Sequence, residues 1–126
     1  MSRTLEFFYD FSSPNAYFAH VQMDDYLPDT DVEVIYRPVF LGGIFKELDT
    51  SPPVENNELK AEYLWIDSQR WAQQYEIPYC RPSIFPMNSL RALRAVVVLE
   101  NQAPESLYEF VDRVFSSYWA QDQDIS

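Results

Sequence analysis

Residues 5–17 read LEFFYDFSSPNAY, and this stretch decides the fold because it joins a strand to a helix across a Ser-Ser-Pro break. Residues 5–11 are rich in aromatic side chains and nearly continuous in hydrophobicity, which predicts a strand covered on both faces, as in a parallel sheet. After the break at 12–14, apolar residues recur at helical spacing from 15 to 25. The stretch therefore predicts a strand, a tight turn and a helix.

The sequence that follows predicts a second strand and then only helices. Residues 32–38 alternate in the manner of a strand and are β-branched, so strand, helix and strand form a βαβ unit whose two strands pair in parallel. Segment 41–46 contains both glycines of the chain. Apolar periodicity then predicts helices over 57–75, 89–100 and 105–121, the second of them apolar nearly all round and therefore buried. Because two strands make a poor sheet, either a partner supplies further strands or the chain is part of something longer.

Composition and charge exclude several classes of protein. The chain has 126 residues, 47% of them hydrophobic, which predicts one compact domain with a packed core. Nine basic against 20 acidic residues give a net charge of −11, which argues against nucleic-acid binding. No apolar run approaches the roughly 20 residues that a membrane span requires, and no secretory pattern opens the sequence. We therefore expect no membrane association and a cytoplasmic location.

The sequence contains one cysteine, Cys80, and one histidine, His20. A single cysteine cannot form an intrachain disulfide, and this pair cannot build a zinc site of the usual kinds. We therefore expect no metal and no thiol–disulfide chemistry. Cys80 is interpreted as an ordinary loop residue and His20 as a helix residue near the edge of the core.

Ser13 is the strongest candidate for chemistry. Pro14 restricts Ser13 to the extended backbone region that a helix N-cap adopts, and proline itself suits the first helical position. Ser13 would then lie at the positive end of a helix dipole and at the C-terminal end of a parallel strand, where α/β sheets bind their ligands. The alternative is that Ser13 is only a cap, because Ser-Pro helix starts are common.

Several ordered motifs together resemble one enzyme family. The run at 8–17, FYDFSSPNAY, is followed by similar segments at 37–46, 52–53, 67–72, 77–78, 85–88, 118–120 and 124–126. They resemble the 2-hydroxychromene-2-carboxylate isomerase and kappa-class glutathione transferase group, DsbA-like members of the thioredoxin superfamily. The resemblance implies an α/β chain with a partial thioredoxin-like fold. Residues 1–40 would be its N-terminal βαβ half and residues 41–126 a DsbA-like all-helical insertion block, with the C-terminal half of the thioredoxin fold absent.

The same resemblance implies a glutathione-dependent isomerase or transferase. The family's serine at the first strand–helix turn contacts the sulfur of bound glutathione, and Ser13 falls on that position. Thr50 falls where the family often has an asparagine, and Lys60 lies near a lysine that meets the glutathione backbone, so both are expected to bind the cofactor. The second substrate would be a small aromatic or otherwise electrophilic molecule, and the protein would be a homodimer.

Two other functions and several other residues remain open. The chain can instead be a catalytically inactive thioredoxin-like fragment that acts only as an interaction or structural domain, whereas a thiol–disulfide oxidoreductase would need a second cysteine. The remaining candidates are given structural interpretations, each with a functional alternative. Asp10 is interpreted as a surface or ion-paired acid, the alternative being a buried residue beside the turn that orients it. Arg91 and Arg94 are interpreted as solvated or paired cations, the alternative being contact with a carboxylate-bearing substrate. Core or inter-helix packing is the interpretation for the three tryptophans, some of which could alternatively wall an apolar substrate pocket in the helical block: Trp65, Trp71 and Trp119.

Overall fold

The computed structural model describes residues 3–126 and confirms the order of strand, helix, strand and then helices. The elements are β1 (Arg3–Tyr9), α1 (Pro14–Tyr26), β2 (Val32–Pro38), α2 (Leu41–Glu47), α3 (Pro53–Asn56), α4 (Glu58–Gln74), α5 (Leu90–Gln102) and α6 (Leu107–Trp119), with a 3-10 turn at Pro104–Ser106. Two short helices, α2 and α3, were not assigned from the sequence. Among the described helices, none is long and apolar enough to cross a membrane.

The two strands pair in parallel, as predicted, with Arg3 opposite Val32 at one end and Tyr9 opposite Pro38 at the other. The expectation that β1 is covered on both faces is wrong. Phe8 is 61% exposed, whereas Tyr9, its neighbour on the opposite face, is 1% exposed. The difference arises because the described residues cover only the face of the sheet that carries Tyr9.

The core is predominantly aromatic and centres on the last helix. Phe115 of α6 is fully buried, and its ring contacts those of Tyr9, Phe11, Tyr17 and His20 at centroid distances between 4.9 and 6.0 Å. Aromatic pairs at these separations contribute about 0.5–1.5 kcal/mol each beyond the area they bury. Helix α6 therefore packs directly on the end of β1, the turn after it and α1.

His20 lies inside this core and not at its edge, which corrects the sequence interpretation. Its side chain has no exposed surface. Its Nε2 lies 2.9 Å from Asp112 Oδ1, and its Nδ1 lies 3.1 Å from the Tyr36 hydroxyl. The histidine can be buried because neighbours on α6 and β2 satisfy both of its ring nitrogens.

Two further burial predictions are wrong. Helix α5 is amphipathic and not buried all round, since Val96 is fully buried but Val97 and Val98 are 48% and 50% exposed. Trp71 is 46% exposed and stacks on Tyr75 at the surface, with 5.4 Å between ring centroids. Each of these helices packs on one side only, so apolar residues on the opposite side remain in solvent.

Replacement of Phe115 by alanine should lower the free energy of unfolding by about 3–5 kcal/mol, because it removes a fully buried ring and leaves a cavity. Urea denaturation measures the loss. Phe8→Ala is the matched control, since the same truncation of an exposed ring should cost only about 0.5 kcal/mol. Equal losses in the two variants would contradict the described packing.

The fold should lose stability at alkaline pH. Burial, reinforced by nearby carboxylates, raises the pKa of Tyr17 and of Tyr36 to about 12. An unfolded chain releases tyrosine protons near pH ~10, so between the two values the folded state binds more protons and its free energy of unfolding falls as pH rises. Urea unfolding at several pH values above about 9 should show this decline. The decline should be shallower in Tyr17→Phe and unchanged in Tyr26→Phe, because Tyr26 is exposed. A wild-type slope in Tyr17→Phe would contradict this assignment.

Candidate functional site

The turn between β1 and α1 presents Ser13 as the N-cap of α1. Its backbone is extended, with φ −99° and ψ 119°, and its Oγ accepts a hydrogen bond of 3.2 Å from the amide of Ala16. Pro14 occupies the first helical position, as predicted. Because the hydroxyl oxygen accepts from the helix and no acceptor among residues 3–126 takes its hydrogen, the Ser13 hydroxyl can donate to a ligand.

Ser13 lies in the wall of a cavity of about 520 Å³, a volume typical of small-molecule sites. Five chain segments form this cavity: the Ser13 turn, the start of α2, the start of α3, the middle of α4 and the loop before α5. They contribute Ser12, Ser13, Pro14, Asn15, Phe40, Leu41, Gly42, Phe45, Pro52, Pro53, Val54, Leu64, Trp65, Asp67, Ser68, Phe85, Pro86, Met87, Asn88 and Ser89. The walls are mostly apolar, and Asp67 is the one charged residue that the described chain contributes to them.

Trp65 of α4 contributes an aromatic ring to one wall of the cavity. Its ring meets that of Phe85 edge to face, with 4.9 Å between centroids. The guanidinium carbon of Arg81 lies 4.9 Å from the centroid of Trp65, and Arg81 also pairs with Glu62 at 3.3 Å. Trp65 also lines two smaller cavities, and Arg81 contributes to the walls of both.

Both glycines of the chain lie where the ring of Phe40 approaches the backbone of α2. A Cβ atom at Gly42 would lie 3.1 Å from Phe40 Cζ, and one at Gly43 would lie 3.1 Å from Phe40 Cδ1. These separations are shorter than ordinary van der Waals contact. The two glycines therefore let Phe40 lie flat against the helix start, where its ring also lines the cavity.

Asp10 is buried beside the turn, so the preferred interpretation as a surface or ion-paired acid is wrong and the alternative, a buried residue beside the turn, is confirmed. It is 1% exposed. Its Oδ1 accepts from the amide of Ser12 at 3.0 Å, and its Oδ2 accepts from the amide of Leu41 at 2.8 Å. The first contact is the local bond that an aspartate often makes to the backbone two residues on, which is the sequence signal that could have indicated it.

The two other predicted cofactor residues lie outside the cavity walls. Lys60 is exposed on the first turn of α4, four residues before Leu64 and seven before Asp67, so it shares the helix face that lines the cavity. Thr50 is exposed in the loop between α2 and α3, two residues before Pro52, and its amide donates to the Phe45 carbonyl. The structure thus brings Ser13 into the cavity and leaves Thr50 and Lys60 in segments next to it.

The remaining candidates do not join this cavity. Cys80 is partly exposed, its amide donates to the Trp119 carbonyl, and burial raises the pKa of its thiol, which disfavours the reactive thiolate. Arg91 and Arg94 are exposed on α5. Sequence reasoning missed Ser68 and Ser89, two buried hydroxyl residues in the walls, because their burial depends on contacts between distant segments.

Comparison with known proteins assigns the family. The model of the DSBA-like thioredoxin domain matches residues 4–126. A 2-hydroxychromene-2-carboxylate isomerase of Pseudomonas putida is 26% identical over 118 residues, 93% of this chain and 56% of that protein. One of Sphingobium xenophagum is 32% identical over 68% of this chain and 44% of that protein. Glutathione S-transferase kappa 1 of Rattus norvegicus is 25% identical over 98% of this chain and 57% of that protein.

A solved structure of 2-hydroxychromene-2-carboxylate isomerase superposes with a TM-score of 0.78 at 25% sequence identity, and the match covers 96% of this chain and 58% of that one. The chain therefore spans about half the length of the curated relatives that it matches. Their names are those of isomerases and transferases. On the match of the family model to nearly its whole length, the chain belongs to the DSBA-like thioredoxin domain family.

Proposed function

We propose that the chain is the part of a glutathione-dependent isomerase or transferase that holds the sulfur of glutathione as a thiolate beside Ser13. The observation that carries the proposal is the Ser13 hydroxyl: its oxygen caps α1, and its hydrogen, which none of the described residues accepts, lies at the wall of an apolar cavity. Relatives named as isomerases of this kind and as glutathione transferases support it.

The energetics of thiol ionisation indicate why a serine suits this position. A free thiol has a pKa near 8.5, so lowering it by about two units requires roughly 2.7 kcal/mol of preference for the thiolate. A helix N-terminus supplies about 0.3–1 kcal/mol when exposed and up to about 2 when partly buried. A hydrogen bond to a charged group adds about 1.5–3 kcal/mol. The cap of α1 and the Ser13 hydroxyl together are sufficient.

The residues in and beside the cavity carry the chemical groups that binding of glutathione would require. Glutathione would supply a sulfur nucleophile, which the chain's own residues do not supply at this site. Ser13 would donate to the sulfur, while Lys60 would attract a carboxylate of the peptide at the edge of the cavity and Thr50 would offer a hydroxyl. With a net charge of −11, the protein attracts an anion only through such local groups.

The apolar walls indicate where a second substrate would bind. Phe40, Trp65 and Phe85 present aromatic surface to the same cavity as Ser13. Such walls suit a small aromatic or otherwise electrophilic molecule, and a hydrogen bond from Ser13 to an anion is stronger in such low-polarity surroundings than in water. Isomerisation and transfer would share this arrangement and differ in whether the sulfur is released from the second substrate.

A second candidate function is an interaction domain without catalysis. It is favoured by the uncovered sheet face, on which Phe8 is 61% exposed. A folded protein that binds no glutathione would support this alternative over the enzyme.

Ser13→Ala should raise the pKa of glutathione's thiol in the complex by about one to two units, because it removes a hydrogen bond worth about 1.5–3 kcal/mol to the anion. The pH at which half of the bound thiol is ionised would move upward, and turnover at neutral pH would fall about 10- to 100-fold. Titration of thiolate ultraviolet absorbance in the complex measures the shift. Ser12→Ala is the control, since Ser12 lines the same cavity and its amide bond to Asp10 does not use the side chain. An equal shift in both variants would remove Ser13 from the mechanism.

Lys60→Gln should weaken glutathione binding about 1.5- to 5-fold, the range for an exposed ion pair worth about 0.2–1 kcal/mol, and leave the pKa of the bound thiol unchanged. Calorimetry at low salt gives the dissociation constant. Lys46, the other lysine of the chain, is exposed on α2 and provides the matched control Lys46→Gln. The same weakening in both variants would indicate a general charge effect and contradict a specific contact at Lys60.

A further inference from the structure

The Asp10 carboxylate joins two separate walls of the Ser13 cavity. Burial of a carboxylate costs several kcal/mol unless hydrogen bonds compensate, and here each oxygen accepts one backbone amide, at 3.0 Å from Ser12 and 2.8 Å from Leu41. Ser12 belongs to the turn before α1, and Leu41 is the first residue of α2. Both residues line the cavity.

The amide of Leu41 depends on this contact. The first amides of a helix have no partner within the helix and require one from elsewhere. The N-cap residue of α2 is Phe40, whose side chain makes no capping hydrogen bond. Asp10, 31 residues earlier in the chain, supplies the missing acceptor. Its main-chain carbonyl also accepts from the amide of Ser13 at 3.0 Å, so Asp10 is bonded both to the turn before α1 and to the start of α2.

From this geometry we infer that Asp10 is a positioning residue that sets the distance between the Ser13 hydroxyl and the wall formed by α2. The inference rests on the proposed function, because it concerns the sulfur anion that Ser13 would stabilise. Asp10 acts through the Ser12–Ser13 turn and touches neither the sulfur nor the second substrate.

Positioning and simple electrostatics predict opposite results for Asp10. A negative charge near the cavity disfavours a second one, so if Asp10 acted only through its charge, its removal would lower the pKa of the bound thiol. If Asp10 positions the turn, its removal displaces the Ser13 hydroxyl and raises that pKa. The direction of the shift therefore separates the two roles.

The test is Asp10→Asn, which keeps the shape of the side chain but turns one of its two acceptors into a donor that faces a backbone amide. We expect the pKa of glutathione's thiol in the complex to rise and turnover to fall by roughly 10- to 100-fold, the loss associated with a displacement of about 1 Å. We also expect faster amide hydrogen exchange at Ser12 and Leu41 in the ligand-free protein. An unchanged or lowered thiol pKa would overturn the inference.

Tyr118→Phe is the control for general destabilisation, because it deletes a partly buried hydrogen bond of 2.7 Å from the Tyr118 hydroxyl to the Ile84 carbonyl, and neither residue lines the cavity. It should lower stability and leave the thiol pKa and the exchange at Ser12 and Leu41 as in wild type. A shift of the thiol pKa in Tyr118→Phe as large as that in Asp10→Asn would reduce Asp10 to a structural role.

A second pair of variants changes Leu41, the other partner in the contact, in case Asp10→Asn does not fold. Leu41→Pro removes the amide that Asp10 binds and puts a ring carbon where the amide hydrogen was, so it breaks the contact, while the first helical position after the extended Phe40 suits the backbone of proline. Leu41→Ala loses the same side chain but keeps the amide. A higher thiol pKa in Leu41→Pro than in Leu41→Ala supports the inference, and equal values oppose it.

Failure of the inference and failure of the proposed function are distinguishable. Wild type that binds glutathione with a lowered thiol pKa, together with an unshifted Asp10→Asn, overturns only the role of Asp10. Wild type that folds and does not bind glutathione overturns both, whatever the amide exchange shows.

Discussion

The hydrogen bond from the Trp119 indole to the Phe11 carbonyl holds the site to the rest of the fold. It is 2.8 Å long, both side chains have no exposed surface, and the two residues are 108 positions apart. A buried carbonyl without a partner would cost about 1–3 kcal/mol. Because the Trp119 indole satisfies the Phe11 carbonyl, the backbone can be buried in the core immediately before Ser12 and Ser13. The Trp119 bond thus fixes the turn to α6. The Ser13 cap fixes it to α1, and the Asp10 carboxylate fixes it to α2. The conformation of Ser13 therefore depends on a helix that lies at the far end of the sequence.

The local features of this fold could be predicted from the sequence because they depend on neighbouring residues. Pro14 and the apolar periodicity after it determine where α1 begins, and the Ser13 cap follows from the same few positions. The parallel pairing of β1 and β2 follows from the βαβ order. The helix that ends in Trp119 was predicted from an apolar stripe that spans the whole element, and such a stripe is the least ambiguous of the sequence signals.

The errors concern contacts between segments that are far apart in sequence. The burial of His20 depends on Asp112, which lies 92 residues later, and that of Asp10 depends on Leu41. Aspartate is mostly exposed in proteins and histidine is intermediate, so a sequence alone favours the surface for Asp10 and the core edge for His20 until their partners are known. The sequence likewise does not distinguish Trp65, which is buried, from Trp71, which is exposed, although both lie on α4. Trp65 lines an apolar cavity, as the alternative interpretation of the tryptophans expected, but the outline of that cavity does not follow from the sequence because five segments form its walls.

The position of Trp65 has a practical consequence for work in solution. Its side chain lines the cavity that Ser13 also lines, so a molecule that enters this cavity changes the polarity around the ring, over which Arg81 lies. Of the two other tryptophans, Trp119 is sealed in the core and Trp71 lies in solvent. Indole fluorescence is sensitive to local polarity, so the protein contains its own optical reporter of occupancy. Emission recorded during a titration would follow filling of this cavity without any attached dye.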